Sequence, residues 1–313
     1  MVHSALLHAI LLCSQSLAMQ QILGPYTEHR LQVIDPRLYE TLTLFSEHCA
    51  AATCASNFNS SGGTKVVCEP GICPMLKYTD TAVLLGFSNF NPGNTTGFLA
   101  IDHTHHALIL AFRGSRTAGN EHTDAQYRQE DIDGVCPGCK AHTGFYSAWG
   151  NFSEYIMPVV NHYAALYQGY SLIFTGHSLG GALATLGAVL EGTPTRPIYL
   201  FTYGCPELGN YNFAQFITNN LFPNDRLLGF RVTHTDDPVP KILSTSKLVN
   251  RTWQYSTTSP EFWITSRNGV PVLIKDIEVI SGIDNKSGNL GTNTSEISAH
   301  DWYFGNMSGC ATN

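Results

Sequence analysis

Residues 172–190, LIFTGHSLGGALATLGAVL, constrain the fold more than any other part of the chain. Leu172, Ile173 and Phe174 supply the apolar run of a buried strand, and residues 181–190 supply a helix rich in Ala and Gly that can pack close to a sheet. Between them stands Gly176-His177-Ser178-Leu179-Gly180, a G-x-S-x-G turn. A strand that turns directly into a helix forces Ser178 into a strained backbone conformation. Glycines two residues to either side leave room where any side chain would clash. The serine hydroxyl is then held clear of the backbone at a helix N-terminus, where N–H groups and the helix dipole favour a developing negative charge. Such a turn predicts a nucleophile.

The rest of the chain provides a sheet for that turn. Residues 33–54 read as a helix, with Asp35 as N-cap and Pro36 at the first helical position. Residues 97–102 and 107–112 are apolar stretches joined by His103-Thr104-His105-His106, a strand–turn–strand pattern. Residues 145–166 form a long amphipathic helix leading to the elbow strand. Residues 198–203 and 229–234 read as further buried strands with a helix between them at 212–220, and residues 272–280 as a last strand. Strands alternating with helices imply an α/β fold with helices on both faces of the sheet. No repeat, charge block or low-complexity linker divides the chain, which implies a single domain over residues 19–313.

Residues 1–18 carry no Asp, Glu, Lys or Arg, contain an apolar segment over residues 5–13, and end with Ser16 and Ala18 at the −3 and −1 positions of a signal-peptidase site. The competing reading is a buried N-terminal helix. Asn-x-Ser/Thr sequons at Asn59, Asn94, Asn151, Asn250, Asn285, Asn293 and Asn306 fit a glycosylated, secreted protein. Losing the signal also removes Cys13 and leaves an even number of cysteines. Cys68 and Cys73 enclose Glu-Pro-Gly-Ile, and Cys136 and Cys139 enclose Pro-Gly, short loops that suit local disulfides. Cys136-x-x-Cys139 also resembles half a zinc site, but no second Cys pair or spaced His pair accompanies it, so no metal is expected. With 17 basic and 24 acidic residues the net charge is −7 and no basic cluster occurs, which argues against nucleic acid as a partner and against attraction to anionic membranes.

A serine nucleophile needs a base to take its proton and an acid to hold that base in the right tautomer. On this kind of sheet the chain order is Ser, acid, His. Downstream of Ser178, Asp236 and Asp237 lie just beyond a strand end, where open α/β sheets place functional groups. Near the C-terminus, Ser298-Ala-His300-Asp-Trp-Tyr-Phe304 sets one histidine among aromatics. His177 points away from its neighbour in an elbow. His105, His106, His122, His142 and His234 precede the serine or the acid. Each residue also has a bland reading, as a core histidine or a turn-starting Asp-Pro.

Taken together, these stretches resemble the class 3 lipases of fungi, a family of tri-, di- and monoacylglycerol lipases, phospholipases and feruloyl esterases. The resemblance runs through the Ala-Thr-Cys54 helix end, Gly97-Phe-Leu-Ala, Phe112-Arg-Gly-Ser115 and Cys136-Pro-Gly-Cys139. It continues through Thr175-Gly-His-Ser-Leu-Gly-Gly, Thr233-His-Thr-Asp-Asp-Pro-Val-Pro240, Pro260-Glu-Phe-Trp-Ile-Thr265 and Ala299-His-Asp-Trp-Tyr-Phe-Gly305. It implies an α/β-hydrolase fold, a triad of Ser178, Asp237 and His300, and an oxyanion hole from the backbone N–H groups of Leu179 and Ser115. It further implies disulfides Cys54–Cys310, Cys68–Cys73 and Cys136–Cys139. Cys49 and Cys205 depart from the pattern, and sequence leaves open a fourth bridge or two buried free thiols.

In family lipases the segment after the oxyanion serine is a greasy lid. Here residues 118–131, AGNEHTDAQYRQED, offer only two Ala and one Tyr as apolar content. Each missing Trp or Leu would contribute roughly 1.5–3 kcal/mol to interface binding, and Gly119 weakens a helix. The expectation is a secreted, cofactor-independent carboxylic-ester hydrolase acting on glycerides, with a polar lid, weak interfacial activation and at most transient contact with a lipid interface. No protein partner is implied. Alternatives are a feruloyl or other short-chain esterase and, from a different class, a non-catalytic secreted binding protein.

Overall fold

The computed structural model describes residues 34–116, 124, 126–191, 198–221, 227–247, 249 and 252–310. The expected signal at 1–18, most of the 118–125 part of the expected lid and the Asn250 sequon lie outside these residues. Helix α1 (Pro36–Ala51) begins as expected, with the Asp35 carboxylate accepting from Leu38 N at 2.8 Å and proline in the first turn. A short helix α2 (Ala55–Phe58) follows. Strands β1 (Thr81–Phe90), β2 (Thr95–Asp102) and β3 (Ala107–Phe112) then form an antiparallel meander.

A two-stranded ribbon of β4 (Gln129–Asp131) and β5 (Lys140–His142) comes next. The chain continues through α3 (Thr143–Leu166), the elbow strand β6 (Ser171–His177), α4 (Leu179–Leu190), β7 (Ile198–Tyr203), α5 (Tyr211–Leu221) and β8 (Leu227–His234). It then runs through the single turn α6 (Ile242–Thr245), β9 (Glu261–Ile264) and β10 (Ile277–Ile280). The main sheet has eight strands in the order β1-β2-β3-β6-β7-β8-β9-β10. Strands β3, β6, β7, β8 and β9 run parallel, and β10 returns antiparallel.

Burial explains the composition of the central strands. Every residue of β3, β6 and β7 is buried, as expected where both faces of a parallel sheet are covered. On one face α1 packs Leu42 and Phe45 against the sheet, with Phe45 stacked on Phe201 at 4.3 Å. On the other, α3 and α4 press Trp149, Phe152 and Leu183 against Phe174 and Leu200. The small residues of α4 make that approach possible. A Cβ on Gly187 would stand 2.6 Å from the Phe174 ring and 2.7 Å from Trp149.

Two expectations need correction. The strand expected at 272–280 is only Ile277–Ile280, because Asp276 turns back to accept from Leu273 N at 2.8 Å and closes a 3-10 turn ahead of it. The C-terminal end of the expected lid is not lid-like, since Gln129, Glu130 and Asp131 pair with His142, Ala141 and Lys140. Of the two readings left open for Cys49 and Cys205, the structure has the buried free thiols. Bridges join Cys54 to Cys310, Cys68 to Cys73 and Cys136 to Cys139, while Cys49 and Cys205 are buried free thiols. These two belong to the cores on opposite faces of the sheet. Cys49 shares a hydrogen bond with Thr175 Oγ1, and Cys205 donates to the Pro206 carbonyl.

Candidate active site

Four consecutive parallel strands end at one edge of the sheet, and the functional side chains lie just beyond them. Register pairs Phe112 with Gly176, His177 with Tyr203 and Tyr203 with Val232, so Ser115, Ser178, Gly204 and Asp237 all leave the C-terminal edge together.

Ser178 has φ 57° and ψ −129° between β6 and α4, the strained conformation an elbow requires. The turn is closed by backbone against backbone. A Cβ on Gly176 would lie 2.1 Å from the Gly180 carbonyl, and one on Gly180 would lie 2.5 Å from the Phe112 carbonyl and 2.8 Å from that of Arg113. The second contact brings the segment 113–115 onto the first turn of α4. Gly114 completes the approach, since a Cβ there would stand 3.1 Å from Cβ of Ser178. Ser115 and Leu179 thus flank the serine, and Ser115 Oγ donates to Asp124 Oδ2 at 2.7 Å.

Asp237 is fully buried beyond the end of β8. Its Oδ2 accepts from His300 Nδ1 at 2.9 Å and from the Tyr303 hydroxyl at 2.6 Å, and its Oδ1 accepts from Val239 N at 2.8 Å. Burial, then the charge of Asp237, pushes the Tyr303 phenol well above its usual pKa, so it stays protonated and donates. Asn289 fixes the loop beneath by donating to the carbonyls of Thr235 and Asp237 at 3.2 and 2.9 Å. Asp236 makes a different contact, its carbonyl accepting from Glu296 N. Of the two acids, Asp237 is the one that meets the histidine.

His300 sits in the 3-10 turn Ile297–Asp301 with 11% of its side chain exposed. Because Nδ1 donates to a carboxylate, Nε2 carries the lone pair. Ser178 N donates to the Tyr203 carbonyl at 2.9 Å. The next residue, Gly204 at φ +59°, is where the imidazole rests. A Cβ there would be 2.8 Å from His300 Nδ1 and Cε1 and 2.7 Å from the Tyr303 hydroxyl. An imidazole and a buried carboxylate therefore meet at Gly204, next to the Tyr203 carbonyl that anchors the backbone of the Ser178 elbow, and the helix start follows that serine. Such a set can add an alkoxide to a carbonyl and hold the resulting oxyanion.

The other histidines are engaged elsewhere. His177 Nε2 donates to the His300 carbonyl at 2.8 Å. His142 caps α3 and stacks on Phe145, and burial lowers its pKa to about 4. His234 contacts the carbonyls of Ala299 and Ser266. His105 pairs with Asp102 at 2.6 Å in the β2–β3 turn, at the far edge of the parallel strands. His122 lies outside the described residues. No group of three or more His, Cys, Asp or Glu among the described residues is arranged to hold a metal ion. Sequence reasoning missed Tyr303, Gly204, Asn289 and Asp124. Tyr303 is one of the aromatics that follow His300, and nothing in that pattern marks it as a donor to the acid. Asn289 and Gly204 carried no motif at all.

The family model for lipase (class 3) matches residues 109–247. The chain is similar to a secreted mono- and diacylglycerol lipase A of Penicillium cyclopium, 37% identical over 265 residues and covering 82% of each chain. It is also similar to a secreted mono- and diacylglycerol lipase 1 of Fusarium solani, 33% identical over 288 residues, covering 91% of this chain and 81% of that one. Among solved structures, the mono- and diacylglycerol lipase of Aspergillus oryzae superposes with a TM-score of 0.76 at 34% identity, over 86% of this chain and 97% of its own.

Proposed function

The chain belongs to the class 3 lipase family, and from that premise we propose that it cleaves mono- and diacylglycerols through an acyl-enzyme on Ser178. It is a lipase, a carboxylic-ester hydrolase, and it is secreted, as its relatives are. The observation that carries the proposal is the junction at Gly204. There the His300–Asp237 pair meets the elbow that strains Ser178 to φ 57°. His300 Nε2 takes the proton as Ser178 Oγ bonds to the ester carbon. The oxygen, now negative, is held by the N–H groups of Leu179 and Ser115, each such donor being worth about 3 kcal/mol of transition-state stabilisation. The intermediate collapses, the C–O bond to the glycerol oxygen breaks, and His300 gives that oxygen its proton. Water then attacks the acyl-enzyme with His300 again as base, releasing the fatty acid and restoring Ser178. Asp237, held by Tyr303 and Val239, orients the imidazole and stabilises its charged form.

The polar composition of residues 118–128 supports partial glycerides, which present a hydrophilic face, over a purely triglyceride enzyme. It also supports weak interfacial activation. The Ser115–Asp124 hydrogen bond ties this segment to the oxyanion arm by a polar contact rather than an apolar one. Labelling by a fluorophosphonate tests the nucleophile and is lost in Ser178→Ala. Rates on monoglyceride, diglyceride, long-chain triglyceride, tributyrin and methyl ferulate test the substrate class. A sharp rate increase at the solubility limit of tributyrin contradicts the polar-lid reading, and a preference for methyl ferulate contradicts the glyceride one.

A further inference from the structure

We infer that His177, the residue immediately before the nucleophile, is a positioning residue that sets the height of His300 over Ser178. The inference rests on the triad reading above and adds a member that reading does not use. His177 ends β6 with 8% of its surface exposed. Its Nε2 donates to the His300 backbone carbonyl at 2.8 Å, and the two rings lie 4.4 Å apart, tilted by 36°. Its other nitrogen, Nδ1, faces the oxyanion arm, 3.1 Å from where a Cβ on Gly114 would stand. One imidazole therefore fills the space between the loop that carries the base and the arm that carries Ser115.

The chemistry of the ring fits the task. Burial, and next the charge of His300, hold the His177 pKa well below its usual value, so the ring is neutral and has a single N–H. That N–H is used on the His300 carbonyl. A neutral ring also avoids repelling the imidazolium that forms on His300 during each proton transfer. The geometric need is real because His300 sits in a five-residue 3-10 turn, a short element with little rigidity of its own. His177 ties the backbone of that turn to the residue covalently bonded to Ser178. His234 Nδ1 also lies 3.0 Å from the carbonyl of Ala299, one residue earlier.

The test compares three substitutions on the full-length enzyme with a water-soluble short-chain ester. His177→Phe keeps an aromatic ring and removes the donor. His177→Gln places an amide N–H near the position of Nε2, and His177→Asn places one near Nδ1, short of the carbonyl. Loss of alignment at the reacting atoms costs up to roughly 100-fold in rate. We expect kcat lower by about 10- to 100-fold in His177→Phe and His177→Asn with KM unchanged within about twofold, and recovery to within a few-fold in His177→Gln. Should His177→Phe not fold by thermal melting, the Gln and Asn pair decides alone. Equal kcat in Gln and Asn, or wild-type kcat in Phe, overturns the inference. Ser178→Ala is run in parallel. If it retains activity the triad reading fails, whereas an inactive Ser178→Ala beside unaffected His177 variants refutes only the role given to His177.

Discussion

Substituting Gly204 by alanine separates the position of the base from the stability of the fold. Gly204 has φ +59°, where an L-side chain costs about 1–2 kcal/mol. On a chain of this size a loss of that order lowers Tm by a few degrees. The added methyl also meets the site itself, with His300 Nδ1 and Cε1 at 2.8 Å and the Tyr303 hydroxyl at 2.7 Å. Ordinary contact needs at least about 3.5 Å, so the imidazole and the phenol must retreat by several tenths of an ångström. Displacement on the scale of 1 Å costs about 100-fold in rate, or about 2.7 kcal/mol of barrier. Gly71→Ala is the control, because Gly71 has φ +86° and nothing lies within 4 Å of the added methyl. Both variants are measured by thermal melting and by kcat on a soluble ester. The expected result is a similar fall in Tm for both, with kcat lowered only in Gly204→Ala. Wild-type kcat in Gly204→Ala means that the imidazole does not rest against Gly204 during catalysis, and refutes the geometry argued for the base.

Two other perturbations address the frame around the site. Burial pushes the Glu47 carboxyl up to about 7 although it accepts from Met75 and Leu76 N–H. An acid with a raised folded pKa is protonated in the fold while the unfolded chain is already ionised. Its contribution is therefore complete below the unfolded value of 4.5 and is lost as pH rises through 7. Tm should fall between about pH 5 and about pH 8, and Glu47→Gln should flatten that slope, with an unchanged slope counting against the argument. The Cys54–Cys310 bridge spans 256 residues. Closing a loop of such length stabilises by at most about 5 kcal/mol in the chain-entropy account. The double variant Cys54→Ser with Cys310→Ser should lose roughly 10 °C of Tm, and a melt unchanged within the error of the measurement contradicts it.

Much of this site was readable from residue order because its demands are local. Gly176 and Gly180 must be glycine for the elbow to close, and an acid after a strand end followed by a late histidine has few competitors along this chain. What sequence did not reveal depends on which face of the sheet a residue takes. Cys49 and Cys205 look like a pair by counting, yet the path of α1 and of the loop after β7 puts them in separate cores. Strand β4 carries no apolar residue, so no hydrophobic period marks it. It exists through pairing with β5, supported by the Asp131–Lys140 ion pair and the Cys136–Cys139 loop between the two strands. The strand expected from residue 272 is shortened by a carboxylate hydrogen bond that pattern reading cannot weigh.

The order of strands in the main sheet follows the order of the chain, and this bears on when the proposed site is complete. During synthesis the strand bearing the nucleophile is laid down before the one leading to Asp237. His300 follows His177 only after a further 123 residues. On the proposed triad, a nascent chain with a folded elbow thus holds a serine without a base, and Cys54 waits for Cys310 before the segment beyond His300 is clasped to the start of α2. On the triad proposed above, ester hydrolysis is expected only once the segment around His300 has docked, a delay produced by topology.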